Sequence, residues 1–379
     1  MMNCRALAFA VLLALPSSLL AQSPVPIWPD GVPNSKGVGD GHSPSLTWYP
    51  APQAGNTGAC VVVLPGGGYN NLADRHEGHQ IVQWLNGLGI NAYIHRYRLK
   101  PQGYTPADSL QDALQAMRLA RQWAPEKGYD PNRIGILGFS AGGHLSSMTT
   151  LVSSVGTAET GPTEEEKAAR PNFAILLYPA YLYVFPEAEY GVPPKPNKNV
   201  PPIFIAVSGQ DPKYEMTSAK IFENFKPAGV DVELHAFGGW GPHGLGLAHG
   251  DPAFGHWPGL CHAWMRRQGL LTSSPRCTSA TFNITNCDKK ITGWARLSPI
   301  GDNNKPVVAV SSSNGVFKFN DVTTRPCLGD YTLSLYIAPE KPELGMLPMD
   351  PVSNLTITIT PGDNVIDIVD FRLKTEESK

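Results

Sequence analysis

The sequence predicts an α/β fold, a mostly parallel sheet with helices on both faces, followed by a small all-β sandwich domain. Three observations predict it. Between residues 60 and 270, short apolar runs alternate with amphipathic segments, the pattern of βα units building a covered parallel sheet. One of those runs, RIGILG, passes directly into the small-residue turn GFSAGG and then into a helical segment. After Leu271 the helical period vanishes, and stretches such as VFKFNDV, YTLSLYIA and LTITIT alternate as the strands of an antiparallel sandwich do.

The chain of 379 residues exceeds what one hydrophobic core fills, about 250–300 residues, so two domains are expected. At the N-terminus, Arg5 precedes an apolar run from Ala6 to Leu15, and Ala21 offers a small residue for cleavage. Residues 1–21 therefore read as a secretory signal peptide, and the destination as secreted or periplasmic. The run is too short to span a bilayer. Cys4 stands before it, which argues against a lipid anchor on cysteine. Residues 22–271 form the expected α/β domain, 272–276 the linker and 277–379 the C-terminal sandwich. An oxidising destination would allow two disulfides among Cys60, Cys261, Cys277, Cys287 and Cys327. Cys277 with Cys287 or Cys327 is the preferred pairing, and Cys60 reads as a buried strand residue.

A net charge of -2 with 16% charged residues creates no long-range field that would gather nucleic acid or an anionic membrane. A neutral or small substrate is the expectation.

In chain order, the runs at 60–65, 91–97, 133–138, 173–179, 202–209 and 231–237 read as strands. Helices are expected at 76–87, 106–124, 142–153, 216–226 and 255–268. In the second of these, Leu110, Ala113, Leu114, Met117 and Ala120 recur at helical spacing and form a core stripe. Residues 187–202, rich in proline and lysine, continue neither element and read as a loop, either a surface connector or a cover for the site.

The chemistry gathers around Ser140. A turn this tight between strand and helix tolerates only small neighbours, and it holds the serine hydroxyl above the sheet. A hydroxyl needs a base, and the base needs a carboxylate that fixes its tautomer. Asp211 follows the strand at 202–209 in the turn SGQDP, at the carboxyl end of the sheet where catalytic groups of parallel sheets collect. Five histidines follow it. His243, in the glycine-rich turn after the last strand, has the right place for the base, with His249 as the fallback. His235 falls within a strand, and His256 and His262 in or beside the last helix. His144, one turn past the serine, reads as a buried packing or hydrogen-bonding residue.

LPGGGY follows the strand from Cys60, and only glycines let backbone N–H groups approach a substrate closely. The oxyanion donors are expected to be the N–H of Ala141 with that of Gly67 or Gly68. The loop lacks the Lys-Ser/Thr ending of a phosphate-binding loop. No cluster has metal-ligand spacing, so neither a metal nor a cofactor is expected. Glu77 reads as a carboxylate favoured at a helix start. Arg98 reads as an ion-pair or loop-anchoring residue, and Trp240 as a wall that stacks on a sugar or aryl group.

Five blocks, IWPDGVPNSKG, PGGGYNNLADRHEG, WLNGLGINAYIHRYRL, DPNRIGILGFSAGGHL and PHGLGL with HWPGLCHAWMRRQG, run in the order of a known family. Residues 27–269 resemble the bacterial secreted α/β-hydrolase esterases related to hormone-sensitive-lipase-like and feruloyl or acetyl-xylan esterases. The resemblance implies a triad of Ser140, Asp211 and His243 and substrates that are acetyl or feruloyl esters on xylan-derived sugars. Pro65 stands where many relatives have the histidine of HGGG, as in the polysaccharide-esterase branch. The segment GVFKFNDVTTRPCLGDYTLSLY resembles transthyretin-like or carboxypeptidase-regulatory-like modules. The expected partners are an acylated saccharide or small ester, and a polysaccharide that the C-terminal domain could contact. The alternatives are a prolyl-oligopeptidase-like serine peptidase, which normally carries a large gating domain, and a non-catalytic glycan-binding protein.

Overall fold

A computed structural model describes residues 23–53, 55–157, 161–184, 187–238 and 243–272, together with seven strands between 279 and 368. By its contacts the chain divides into two compact units. The first holds the described residues up to 53 and residues 60–255; the second holds 55–59 and everything from His256 onward.

The first unit is built on an eight-stranded sheet in the order β1-β2-β4-β3-β5-β6-β7-β8. Two short strands, β1 (Val25–Pro26) and β2 (Ser45–Tyr49), run antiparallel at one edge. The other six are parallel: β3 (Cys60–Leu64), β4 (Asn91–Arg96), β5 (Ile134–Phe139), β6 (Phe173–Leu177), β7 (Ile203–Ser208) and β8 (Val232–Phe237). Every residue of β3, β5, β6 and β7 is buried, which is why these strands read as unbroken apolar runs. At the far edge β8 is only half-buried, and its sequence mixes Glu233 and His235 with apolar residues. Sequence reasoning placed no strand before Cys60. The structure adds β2, which pairs Leu46 with His95 and Trp48 with Tyr93, the latter two rings 4.6 Å apart.

Helix α1 (Gln80–Gly87) is entered through a single π-helical turn, Asp74–His79, so the helix expected from residue 76 begins later and in a wider coil. Helix α2 (Pro106–Lys127) is specified at both ends. Thr105 and Asp108 close a capping box, Pro106 occupies the first turn, and Gly128 at φ +76° terminates it. Ala113, Ala116, Met117, Ala120 and Ala124 are its buried face. Helix α3 (Ser140–Val155) packs on β5 and β6 and against α2. Short α4 (Glu164–Ala168) and α5 (Glu187–Tyr190) follow, then α6 (Pro212–Phe225). The segment expected as a loop over 187–202 thus opens with one helical turn, because its prolines begin only at Pro193.

Arg98 is the anchor that its position suggested. Its guanidinium holds Asp112 of α2 through two bonds of 2.8 Å, and both side chains are fully buried. Trp28 donates to the same carboxylate at 2.9 Å, tying the N-terminal segment to α2.

In the second unit, α7 (Trp257–Arg267) buries Trp257, Cys261, Trp264 and Met265, spaced as one helical face. The strands β9 (Ser279–Ile284), β10 (Gly293–Pro299), β11 (Val307–Val310), β12 (Val316–Phe319), β13 (Gly329–Ile337), β14 (Ser353–Ile359) and β15 (Asp363–Ile368) form two sheets. One is antiparallel with four strands, β11-β10-β13-β14. The other has three, β12-β9-β15, and its β9–β15 pair is parallel, a departure from the all-antiparallel expectation. Phe282, Leu297 and Leu333 are fully buried. Cys277, Cys287 and Cys327, on which the expected disulfide rests, lie outside the described residues; Cys60 and Cys261 are buried thiols. No helix among the described residues is long and apolar enough to cross a membrane.

Candidate active site

The carboxyl ends of β3, β5, β6, β7 and β8 converge on one place. Ser140 directly follows β5 and opens α3 with φ +50°, a left-handed conformation that L-residues adopt only under constraint. The constraint is steric. A Cβ on Gly138 would lie 2.1 Å from the Gly142 carbonyl oxygen, and one on Gly142 would lie 2.0 Å from that of Leu64. The chain can turn this sharply against β3 only with glycine at both positions.

His243 Nε2 lies 2.7 Å from Ser140 Oγ, and its Nδ1 is hydrogen-bonded to Asp211 Oδ2. Since a carboxylate only accepts, Nδ1 carries the proton and Nε2 is left to accept from the serine hydroxyl. Asp211 sits between β7 and α6, its own carbonyl oxygen accepting the N–H groups of Tyr214 and Glu215 at 3.0 and 2.8 Å. Tyr214 stacks on the imidazole with centroids 4.1 Å apart, and Tyr178 meets it edge-on at 4.9 Å. Two rings and a carboxylate therefore set the orientation of His243.

The other histidines stand elsewhere. His235 bonds Glu233 at 2.8 Å within β8, while His249 and His256 are exposed. His144 is buried, its Nδ1 bonded to the Tyr69 hydroxyl at 2.7 Å. Trp240 lies outside the described residues.

The glycine loop after β3 passes beside the serine: a Cβ on Gly66 would come within 3.0 Å of Ser140 Cβ. Gly67 and Gly68 have φ of +127° and +66°, and a Cβ on Gly67 would strike the Asn71 carbonyl oxygen at 2.1 Å. The loop closes on itself through Asn70 and Asn71 N–H groups donating to Gly67 O at 3.0 and 3.2 Å. None of the described residues accepts the N–H of Gly67 or Gly68. Ala141 N–H lies in the first turn of α3, where helix geometry supplies no acceptor.

Sequence reasoning missed the role of Glu77, taken as a helix-opening carboxylate. The residue is 2% exposed and its oxygens do different work. Oε2 accepts Gly66 N–H at 2.7 Å, and Oε1 accepts the Tyr178 hydroxyl at 2.7 Å. The Tyr178 oxygen in turn accepts Gly246 N–H at 3.0 Å, three residues past His243. One carboxylate thus clasps the glycine loop to the histidine loop. Burial raises its pKa, opposed by the Tyr178 and Gly66 donors. Glu77 stands on the π-helical turn Asp74–His79, a conformation that recurs at functional sites and that no sequence pattern announces. Among the described residues, no three histidine, cysteine or carboxylate side chains group as metal ligands do.

Parallel sheet, strained serine and hydrogen-bonded Ser-His-Asp line together define an α/β hydrolase. Residues 46–176 match the family model BD-FAE. Over 123 residues the chain is 42% identical to an acetylxylan esterase of Xylanibacter ruminicola, covering 32% of this chain and 23% of that protein. Over 144 residues it is 30% identical to an ethyl acetate hydrolase of Pseudomonas putida, 37% of this chain and 42% of that one. Among solved structures, an acetyl ester-xyloside bifunctional hydrolase from Caldicellulosiruptor lactoaceticus matches with TM-score 0.53 and 31% identity, over 65% of this chain and 97% of the other. The chain belongs to the α/β-hydrolase esterases. It spans less than half the length of the curated relatives named here.

Proposed function

We propose that the protein is a serine carboxylic-ester hydrolase that removes acetyl groups, or feruloyl groups, from xylan-derived saccharides. The observation that carries this reading is the 2.7 Å contact between Ser140 Oγ and an imidazole whose far nitrogen is held by Asp211. His243 takes the serine proton as Oγ attacks the ester carbonyl, and the imidazolium is stabilised by Asp211. The N–H groups of Ala141 and of Gly67 or Gly68 receive the oxyanion, each worth about 2.7–4 kcal/mol in hydrolases of this kind. The imidazolium then protonates the leaving alcohol. A water activated by the same base cleaves the acyl-enzyme. The names of the relatives, an acetylxylan esterase and an acetyl ester-xyloside hydrolase among them, support the substrate class.

Secretion through residues 1–21 and a catalytic domain ending near residue 271 belong to the same reading. So does a C-terminal β-sandwich, formed by the two sheets and able to contact polysaccharide. Acetate release from acetylated xylan, acetylated xylo-oligosaccharides and ethyl acetate, beside ferulate release from methyl ferulate, tests the proposal. Acetate from the saccharides, abolished in Ser140→Ala, is the expected result; cleavage of aminoacyl-proline amides with no ester turnover would replace it with the peptidase alternative.

A further inference from the structure

A base that serves Ser140 is charged only in passing. His243 keeps its Nδ1 proton toward Asp211 while Nε2 takes the serine proton, so the ring is an imidazolium until Nε2 releases that proton to the leaving alcohol. Whatever stabilises this cation over the neutral ring lowers the barrier.

The surroundings divide on that charge. Helices α3 and α6 both begin beside the triad, and a helix N-terminus favours an oxyanion and disfavours a cation. Asp211 opposes them through its bond to Nδ1. Glu77 stands behind Tyr178 as a second carboxylate, one whose pKa burial raises. Tyr178 itself meets the imidazole edge-on, its proton committed to Glu77.

Tyr214 approaches differently. Asp211 occupies the N-cap of α6, where an aspartate side chain ordinarily accepts an N–H of the first turn. Here the side chain makes no such bond, because the Asp211 backbone carbonyl takes the N–H groups of Tyr214 and Glu215. The carboxylate is thereby left for His243. Pro212 presets the turn, and Tyr214 follows at its end. One turn of chain thus delivers a carboxylate to the edge of the imidazole and a ring to its face, with centroids 4.1 Å and planes 20° apart. The bonds at Nδ1 and Nε2 leave the imidazole free to roll about the line through them, and this flat contact stops the roll.

We propose that Tyr214 is a positioning residue that acts by charge as well as by contact: its π face stabilises the imidazolium form of His243 over the neutral form. An aromatic face is electron-rich and attracts a cation within about 6 Å of its centroid. Burial raises the Tyr214 phenol pKa, with Tyr181 and Asp211 adding to the rise, so a neutral ring and not a phenolate meets the imidazole. The His243 side chain is 32% exposed, so water competes and the gain belongs to the lower part of the cation–π range. The proposal rests on His243 being the base of an esterase.

The pH dependence of kcat/KM for ethyl acetate, measured on the full chain, tests it, since the acid limb reports the base of the free enzyme. Tyr214→Phe keeps the face and should stay within about twofold of the wild type at every pH. Tyr214→Leu, and a trifluorinated phenylalanine in the same place, remove the electron-rich face. Each should lose about three- to fivefold on the plateau and move the acid limb about 0.5 unit to lower pH. Both signs follow from one cause: a less stable imidazolium weakens the transition state and also forms later as pH falls. The deficit therefore narrows in acid. Glu77 and His76, 3.9 Å apart, titrate in every variant and drop out of the comparison. A deficit of equal size at all pH, or Tyr214→Phe as impaired as Tyr214→Leu, overturns the proposal. Proton NMR titration of the His243 ring, assigned by its loss in His243→Asn, reads the same shift without turnover. Coincident titrations of the wild type and the fluorinated protein overturn the proposal even where Tyr214→Leu does not fold. Absence of ethyl acetate turnover in the unmodified protein defeats the esterase reading instead, and the NMR titration still decides the role of Tyr214.

Discussion

Tyr178 donates its hydroxyl proton to Glu77 at 2.7 Å while accepting Gly246 N–H at 3.0 Å, so the buried carboxylate reaches the histidine loop through a single tyrosine. Its other oxygen holds Gly66, immediately before the expected oxyanion donors. Glutamine in this place offers one acceptor to two donors. Glu77→Gln is therefore expected to lower kcat by about 10–100-fold with KM little changed, since misplaced oxyanion donors weaken transition-state binding above all. Tyr178→Phe should do the same, and the double variant should be no worse than the worse single one. Additive losses would show that the two residues do not act as one clasp.

Asp211→Asn tests the tautomer argument. An amide at this position can donate to Nδ1, which would place the imidazole proton on Nε2, facing Ser140. The expected loss in kcat is on the order of 10⁴-fold with the fold intact, measured on ethyl acetate at pH 8. A loss below tenfold would mean that Asp211 is not the orienting acid.

The parallel strands were legible because burial on both sides leaves an unbroken apolar run, as in Cys60–Leu64. That Ser140, Asp211 and His243 meet was legible because their chain order and strand ends narrow the choice. Strand β2 was not: Ser45 and Thr47 look like solvent positions, and their burial comes from neighbours that no local pattern records. Glu77 was hidden for a related reason. Its partners Gly66 and Tyr178 lie 11 and 101 residues away, and nothing near HEGH announces either. The parallel β9–β15 pair was equally closed, since alternation along a strand carries no information about its neighbour's direction.

Gly142→Ala probes the steric basis of the serine turn. The added methyl would sit 2.0 Å from Leu64 O and 2.6 Å from Pro65 O, both backbone atoms that cannot swing aside. Separation of β3 from α3 is the only relief, and it displaces Ser140. A destabilisation of about 3 kcal/mol or more, with activity reduced in whatever fraction remains folded, is expected from chemical denaturation and active-site titration. Unchanged stability would contradict the close approach of α3 to β3.

His144 gives the protein an acid-sensitive element distinct from the triad. Its pKa is pushed from 6.5 down to about 3 by burial, and the rings around it, Tyr69, Tyr181 and Tyr190, stay neutral at acid and neutral pH. The folded state therefore resists a proton that the unfolded chain accepts near 6.5. Stability from the neutral imidazole is fully present above that value and is lost as pH falls toward 3, at up to about 1.4 kcal/mol per pH unit. His144→Leu forfeits the Tyr69 bond at every pH but escapes this loss. Thermal melts from pH 7.5 to 4 should show the wild type ahead of the variant at the top of the range, with the gap closing steadily below pH 6.5. A gap of constant size across the range would mean that His144 takes up its proton in the folded state as readily as in the unfolded one.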